Sequence, residues 1–154
     1  MTVDGTEPAV LKKSILVGCA VETAFHVWTN QLNTWWPKGH SMSGNAATTV
    51  YIEKREGGRL YERTPDGLEF DWGHISVWDP PHHLAYNWYL GSALERPSRV
   101  DIYFVAHDAK QTRVNVEHRG PELLGEQWFR AVKGFDKAWN AVLAAYSSIV
   151  SLPI

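Results

Sequence analysis

Cysteine is nearly absent from this sequence, and its scarcity limits both the fold and the expected compartment. Cys19 is the only cysteine among 154 residues, so the chain cannot form an internal disulfide. Chains without disulfides are typical of reducing compartments. The first residues carry no basic segment followed by an apolar stretch, so a signal peptide is not expected. We therefore predict a cytoplasmic protein whose core needs no covalent cross-link.

The sequence also lacks the segments that nucleic-acid-binding and membrane-spanning proteins need. The formal net charge is -2 and the basic residues form no block, so nucleic acid is not an expected partner. No apolar run approaches the ~20 residues of a membrane-spanning helix. The sequence therefore predicts neither a nucleic-acid partner nor a membrane span.

Metal and cofactor motifs are missing as well. His82 and His83 are adjacent, so on a strand they would point to opposite faces and could not easily bind one ion. With His74 they do not give the ligand spacing of a structural zinc site. The pair Gly57-Gly58 lies between two predicted strands and not between a strand and a helix, which argues against nucleotide binding. We predict no metal and no cofactor.

Tryptophan, in contrast, is abundant, with eight residues in the chain. Aromatic side chains dominate protein cores and contact surfaces because each buries a large area. Two interpretations follow from composition alone. The rings form an unusually tryptophan-rich core, or some of them line a pocket or an interface.

Short strands separated by turn residues occupy most of the chain. Apolar and β-branched residues alternate with polar ones, and Gly, Pro or Asp stands at each break. The connections between consecutive strands after the first are too short for a parallel crossover, so these strands must pair antiparallel. The predicted strands are residues 10–19, 48–55, 59–64, 68–78, 82–90, 98–107 and 111–119.

Helical spacing of apolar residues occurs in two places. Val21, Phe25 and Trp28 fall on one face of a helical section that ends near Trp36-Pro37. Apolar residues recur at steps of four and three from Trp128 to Ile149, which predicts an amphipathic helix of about 25 residues. A one-sided sheet needs such a helix as cover. The order predicts one α+β domain, residues 9–154, after a flexible N-terminus, residues 1–8.

The turn at residues 79–81 predicts how two strands pair. A short turn there places Val77 opposite Leu84 and Ile75 opposite Tyr86. Continuing the alternation puts Asp71 on the inner face of the sheet. The same alternation puts large rings on the outer face, which would suggest a dimer or partner interface. In a different register the same rings would line the pocket; these are Phe70, Trp72 and Trp78.

The turn at Asp66-Gly67 allows two registers for the strands that it joins. A two-residue turn would place Leu60 opposite Gly73 and Glu62 opposite Asp71, so that two carboxylates share one inner region. A slip of one residue would exchange the faces of one strand. The pairing of these two carboxylates is therefore left open.

Several motifs together resemble a known family. Their order along the chain carries more weight than any single motif, and the resemblance extends from about residue 10 to about residue 150. The sequence resembles the START-like, or SRPBCC, superfamily, and within it the family related to the activator of the heat-shock-protein-90 ATPase. The motifs are Gly57-Gly58-Arg59-Leu60-Tyr61-Glu62, Asp66-Gly67, Asp71-Trp72-Gly73-His74-Ile75, Asp79-Pro80-Pro81, Gln111-Thr112-Arg113-Val114, Glu117-His118-Arg119-Gly120, and Gly134-Phe135 with Trp139 and Leu143.

The resemblance implies a helix-grip fold, in which about seven antiparallel strands curve around a long C-terminal helix and two short helices follow the first strand. It also implies a cavity between sheet and helix that binds an apolar or amphipathic small molecule, lipid-like or polyketide-like. Function does not follow from fold alone. Two alternatives stay open: a cyclase- or hydrolase-type enzyme in the same cavity, and a co-chaperone or stress-response domain that acts through a protein partner or as a homodimer.

Candidate site residues follow from the predicted inner faces. An enzyme would use Glu62, Asp71 and His118 as acid–base groups, although each has a plain structural interpretation as a strand-end charge or a core histidine. Trp35 and Trp36 precede a small, polar loop and are candidates for a gate over the cavity. The predicted ligand-binding side chains are Leu60, Glu62, Tyr86, Trp88, Ile102, Phe104, His118, Phe135 and Trp139.

Overall fold

Seven strands and three helices make up the fold in a computed structural model, which describes residues 10–89, 97–120 and 125–150. The predicted flexible N-terminus, residues 1–8, lies outside the described residues. The elements in chain order are β1 (Leu11–Val17), α1 (Val21–Asn30), α2 (Leu32–Trp35), β2 (Thr49–Ile52), β3 (Arg59–Arg63), β4 (Glu69–Asp79), β5 (His83–Trp88), β6 (Ser98–Asp108), β7 (Gln111–Arg119) and α3 (Gly125–Val150).

The strands form a single antiparallel sheet in the order β1-β7-β6-β5-β4-β3-β2. All strands after β1 pair with their neighbours in sequence, whereas β1 pairs with β7 at the far end of the chain. The α3 helix packs its apolar face on the inner side of this curled sheet. The predicted helix-grip architecture is therefore confirmed, including the two short helices after the first strand.

The helices follow the apolar spacing of the sequence. Val21, Phe25 and Trp28 of α1 are buried, and α2 ends just before Trp36-Pro37, where proline disfavours a helical residue before it. The long helix runs for 26 residues. Buried apolar residues on α3 again recur at steps of four and three from Phe135 through Trp139 and Val142 to Tyr146, and the buried Trp128 lies seven residues, or two turns, before Phe135.

The core between sheet and helices is aromatic. Trp28 lies near its centre, with ring centroids 4.9 Å from Trp35 and 4.8 Å from Tyr146, both in edge-to-face arrangement. Its ring is also 6.1 Å from that of Phe104 on β6. Such pairs each add about 0.5–1.5 kcal/mol beyond the area they bury. The tryptophan-rich core interpretation thus holds for this part of the molecule.

Two bulges in β4 change the register that the turns alone predict. Ile75 lies opposite Tyr86, as predicted, but the register shifts between Ile75 and Val77, so Val77 faces Ala85 and not Leu84. Trp78 takes the position opposite Leu84. Its ring packs on Phe25 at 5.3 Å, so Trp78 contacts the core and the predicted outward orientation is wrong.

The second bulge separates the two carboxylates that a regular ladder would have paired. Leu60 lies opposite Gly73, as predicted, but the register then shifts so that Asp71 faces Tyr61 and not Glu62. The extra residue on β4 is Trp72, which is buried and not on the outer face as predicted. An inserted residue reverses the alternation of side chains beyond it, which is why simple alternation failed here.

Within the ranges that the structure describes, no helix is long and apolar enough to cross a membrane. In the same ranges, no three His, Cys, Asp or Glu side chains come together as a possible metal site.

Candidate functional site

A cavity of about 340 Å³ lies between α3, the end of β5 and the loop that follows α2. Ligand pockets in proteins usually enclose about 300–1,000 Å³ and are lined mainly by apolar and aromatic side chains. This cavity matches that description in size and in lining. The residues that line it are Trp36, Gly39, His40, Ser41, Trp88, Ala131, Gly134, Phe135, Ala138, Trp139 and Val142.

Packed aromatic rings form one wall of the cavity. The ring of Trp88 on β5 lies 6.0 Å from Trp36 and 6.3 Å from Trp139, and Trp72 supports Trp36 from behind at 5.3 Å. All four side chains are buried. Because each ring is held by another ring, the wall is rigid and offers flat faces to an occupant.

Small residues of α3 form the opposite wall. Ala131, Gly134 and Ala138 recur at steps of three and four, which places them on one stripe of the helix. A Cβ atom added at Gly134 would meet no atom within 4 Å, so the glycine opens directly onto free space. Glycine inside a helix costs about 1 kcal/mol relative to alanine. This unfavourable residue lies where the helix borders the cavity, and its lack of a side chain leaves the cavity open.

The third wall is the start of the loop after α2. The indole Nε1 of Trp36 donates a hydrogen bond of 2.6 Å to the carbonyl oxygen of His40. The backbone N–H of His40 donates to the carbonyl of Pro37 at 3.2 Å, and Gly39 adopts a left-handed conformation with φ of 89°. These contacts fold the loop back over the aromatic wall.

Glu62 fastens the rest of this loop to β3. Its Oε1 accepts hydrogen bonds from the backbone N–H groups of Met42 (2.6 Å) and Ser43 (3.3 Å) and from the indole of Trp72 (2.8 Å). Its Oε2 accepts from the hydroxyls of Ser43 (2.6 Å) and Thr48 (2.8 Å). Glu62 is 0% exposed, and all of these partners are donors.

The hydrogen bonds decide the ionisation of Glu62. Burial by itself raises the pKa of this carboxyl, but donation from Ser43, Trp72 and Thr48, together with the Met42 N–H, holds the pKa below its ordinary value. Glu62 is therefore a carboxylate whose charge is stabilised by hydrogen bonds from donors of the loop and of β4. Glu62 thus holds the loop that bears His40 in place, and we call this set of hydrogen bonds the clasp.

His118 lies next to side chains that line the cavity and is fully buried, with 0% exposure. The indole Nε1 of Trp139 can only donate, so His118 Nδ1 accepts that bond at 2.9 Å and carries no proton. The ring is then neutral with its proton on Nε2, which donates to the hydroxyl of Ser98 at 2.7 Å. The Ser98 hydroxyl in turn donates to the carbonyl oxygen of Trp88 at 3.3 Å.

Burial lowers the pKa of His118 to about 3. Its ring centroid is 4.4 Å from that of Phe135 and 6.1 Å from that of Trp139. Protonation at Nδ1 would remove the acceptor of the Trp139 indole. The neutral ring thus holds in place two of the aromatic side chains that line the cavity.

Asp71, the third acid–base candidate, lies on the other side of the sheet. Its side chain is 44% exposed and pairs with Arg59 at 3.2 Å, beside Glu69, which pairs with the same guanidinium at 3.0 Å. Asp71 therefore belongs to an ion-pair network on the outer surface, which is a solvated environment. The structure brings none of the three acid–base candidates into contact with another.

The predicted ligand-binding residues divide into two groups. Trp88, Phe135 and Trp139 line the cavity. The others are buried in the core around it without lining it: Leu60, Glu62, Tyr86, Ile102, Phe104 and His118. Of the two gate candidates, Trp36 lines the cavity, whereas Trp35 packs against Trp28 and Tyr146 and donates from Nε1 to the carbonyl of Val27 at 3.0 Å.

Sequence reasoning missed the small and polar parts of the lining. The alanines and the glycine of α3 follow the same three-and-four spacing as the apolar stripe, so their stripe was detectable beside it. The loop residues give no periodic signal, and only the structure places them at the cavity. The lining residues outside the predicted ligand-binding set are Gly39, His40, Ser41, Ala131, Gly134, Ala138 and Val142.

Comparison with known proteins gives a family and a fold. A family model described as "Activator of Hsp90 ATPase homolog 1-like protein" matches residues 19–149. No curated protein sequence matches the chain significantly.

Similar solved structures include two that exceed a quarter in sequence identity. "An anthrahydroquino-Gama-pyrone synthase Txn09 complexed with SUM" is 30% identical with a TM-score of 0.64, over 94% of this chain and 99% of that one. The self-sacrificing resistance protein CalC from Micromonospora echinospora is 27% identical with a TM-score of 0.69, over 95% of this chain and 96% of that one. Protein Ms6760 from Mycobacterium smegmatis is 16% identical with a TM-score of 0.66, over 94% and 92%, and shares the fold.

Proposed function

The chain belongs to the activator of Hsp90 ATPase homolog 1-like family, within the START-like (SRPBCC) superfamily, and from this premise we propose that it binds a small, planar, largely apolar molecule in the cavity between α3 and β5. The observation that carries the proposal is the cavity of about 340 Å³. Its rigid side offers flat aromatic faces, and its helical side offers small residues. A flat ligand could stack on the rings and approach the helix backbone at Gly134.

The energetics of such binding follow from the lining. Burial of apolar area contributes about 25 cal/mol per Å². Offset stacking on aromatic rings adds about 0.5–1.5 kcal/mol for each pair. Preformed walls reduce the cost of ordering the site on binding. The names of the two similar structures, a pyrone synthase and a resistance protein, are consistent with a ligand of aromatic, polyketide-like character.

Filling the cavity from Gly134 tests the proposal directly. We expect Gly134→Leu to fold normally, because a Cβ there meets no atom within 4 Å, while its side chain occupies the binding space. Ala141→Leu is the matched control, since Ala141 is an exposed residue of the same helix and does not line the cavity. Binding of naphthalene-sized probes would be followed by quenching of tryptophan fluorescence.

The expected result is saturable quenching in the wild type and in Ala141→Leu, with at least about tenfold weaker binding in Gly134→Leu, which corresponds to about 1.4 kcal/mol. Native mass spectrometry of the freshly purified protein would show whether a molecule of this class co-purifies. Equal probe affinity in all three proteins would place binding elsewhere and overturn the proposal.

A second candidate, an enzyme acting in the same cavity, is favoured by one comparison: the 30% identical structure is that of a synthase. In this hypothesis Glu62, Asp71 and His118 stay the proposed acid–base groups. Their different environments sharpen the test. Conversion of a polyketide-type substrate that survives Glu62→Gln, Asp71→Asn and His118→Gln unchanged would remove all three from the mechanism.

The third hypothesis, a stress-response domain that acts on a protein partner or as a homodimer, stays a prediction, as does the cytoplasmic location. Large apolar side chains that are exposed among the described residues lie on separate elements and loops; they include Leu16, Met42, Tyr51, Leu68, Tyr89 and Val105. Size-exclusion chromatography with light scattering would test for a homodimer.

A further inference from the structure

Polar groups are concentrated at one edge of the cavity. Among the lining residues in the described part of the chain, His40 is the single titratable side chain, and Ser41 beside it carries the single hydroxyl. The remaining lining consists of aromatic, aliphatic and glycine residues. Apart from the indole N–H groups of its tryptophans, the cavity therefore has side-chain polarity only where the loop after α2 closes over the rings.

Most hydrogen-bonding groups near this edge are already used. The carbonyl oxygen of His40 accepts from the Trp36 indole at 2.6 Å, and its N–H donates to Pro37 at 3.2 Å. The Ser41 hydroxyl oxygen accepts from the N–H of Gly44 at 3.0 Å. The Trp139 indole donates to His118 at 2.9 Å. Ser41 keeps one O–H and Trp88 one indole N–H, whereas His40 keeps its whole imidazole, the one free group that offers both a donor and an acceptor in a ring, since no partner for it occurs among the described residues.

The position of His40 is fixed from both sides. On its N-terminal side the loop is tied to α2 through the Trp36 indole, and two residues further on the Met42 N–H donates to Glu62 at 2.6 Å. Gly39 supplies the left-handed turn between these anchors, with φ of 89°. His40 is half-buried at this place. An imidazole held by an ordered backbone is preorganised for contact with a ligand.

We propose that His40 is the polar recognition group of this cavity, and that it orients a planar aromatic ligand through an oxygen substituent on the ligand's edge. The inference rests on the proposed binding function and specifies its ligand class. A neutral imidazole carries one donor and one acceptor, so it can accept from a phenolic hydroxyl or donate to a ring carbonyl. The aromatic walls hold the rings of such a ligand, and His40 selects the oxygenated edge.

Naphthalene and 2-naphthol form a matched probe pair for this proposal, since they differ by one hydroxyl. Dissociation constants would be measured by tryptophan quenching for the wild type, His40→Leu, His40→Gln and Ser41→Ala. We expect His40→Leu to weaken 2-naphthol binding about fivefold to tenfold, the size of one net hydrogen bond, and naphthalene binding less than about twofold. His40→Gln keeps a donor and an acceptor and should restore part of the preference.

The outcomes separate this inference from the function on which it rests. Equal weakening of both probes in His40→Leu would mean that His40 contributes shape alone, which overturns the inference and leaves the cavity function intact. Loss of the hydroxyl preference in Ser41→Ala but not in His40→Leu would assign the role to Ser41 and also overturn it. Failure of both probes to bind the wild type would reject the proposed function and the inference together.

Discussion

The aromatic interior has two ends that use similar rings for different purposes. At the closed end, Trp28 and Trp35 pack against Tyr146 of α3 at ring distances of 4.8–5.1 Å and leave no room between them. At the open end, Trp36 and Trp88 lie 6.0 Å apart and face Gly134 across a cavity of about 340 Å³. The rings are alike, so the size of the facing residue on α3 decides whether tryptophan forms core or pocket.

Truncating one tryptophan at each end is the strongest test of this comparison. We expect Trp28→Ala to lower the free energy of unfolding by about 3–5 kcal/mol, because it leaves a cavity among closely packed rings. Trp36→Ala should cost at least about 1 kcal/mol less, since Trp36 already borders free space and loses part of its contacts and one hydrogen bond. Urea unfolding followed by circular dichroism measures both, and equal losses would contradict the distinction between the two ends.

The pH dependence of stability sharpens the comparison, because His118 supports only the open end. The unfolded imidazole binds a proton near pH 6.5, whereas the folded pKa is about 3. The contribution of the neutral ring is thus complete above pH 6.5 and is lost as the pH falls toward 3. The loss amounts to about 1.4 kcal/mol per pH unit, or about 2–3 kcal/mol between pH 6.5 and 4.5.

The measurement is the slope of the unfolding free energy against pH for the wild type and His118→Gln. The variant lacks this titration, so its slope should be shallower by about 1.4 kcal/mol per unit below pH 6.5. The subtraction removes the contributions of the other histidines and of the carboxylates. Parallel slopes would show that His118 takes up a proton in the folded protein as readily as in the unfolded chain.

Removing the clasp is expected to have the smallest effect on stability and a local effect on structure. Glu62→Ala leaves the buried indole of Trp72 without its acceptor, which should cost about 1–3 kcal/mol, whereas the Met42 N–H can turn to water once the loop is released. The loop should then open the pocket end alone. Acrylamide quenching would report greater access to tryptophan, and Thr48→Val, which removes one of the donors, is the milder control. Unchanged quenching in Glu62→Ala would mean that other contacts hold the loop.

The global fold was predictable because it follows from periodic patterns. The three-and-four spacing from Trp128 onwards gave α3, and the turn residues gave the strands and their antiparallel order. The pairing of Ile75 with Tyr86 was correct for the same reason. Family resemblance joined these pieces into one architecture.

The bulges were not predictable, because they lie inside β4, away from the turns from which the register was predicted. A Cβ at Gly73 would lie 1.9 Å from the carbonyl oxygen of Asn87, so the backbone of β4 between the two bulges has room only for glycine. No turn signal reports such an approach. The predicted orientations of Trp72 and Trp78 were wrong because the prediction did not include these bulges.

The candidate site was predictable in its large residues and not in its small ones. Trp88, Phe135 and Trp139 could be predicted because they are large and follow the periodic spacing of their strand or helix. The cavity itself depends on the small size of Gly134 and the flanking alanines. It also depends on a loop that is held by a buried carboxylate 19 residues away in sequence from the nearest backbone donor it binds. The sequence pattern does not show that these two segments lie in contact.

The clasp at Glu62 has a consequence for the order in which the protein assembles. Glu62 can meet the Trp72 indole and the loop only when β3 and β4 have paired with the extra residue at Trp72 in place. A slip of one residue would turn Glu62 toward solvent and leave the loop untied. A molecule with misaligned strands would therefore lose the bonds from Met42 and Ser43 to Glu62, and its loop would keep only the contacts close to α2, such as that between the Trp36 indole and the His40 carbonyl. Correct strand register and an ordered loop beside the cavity are in this way linked through one buried side chain.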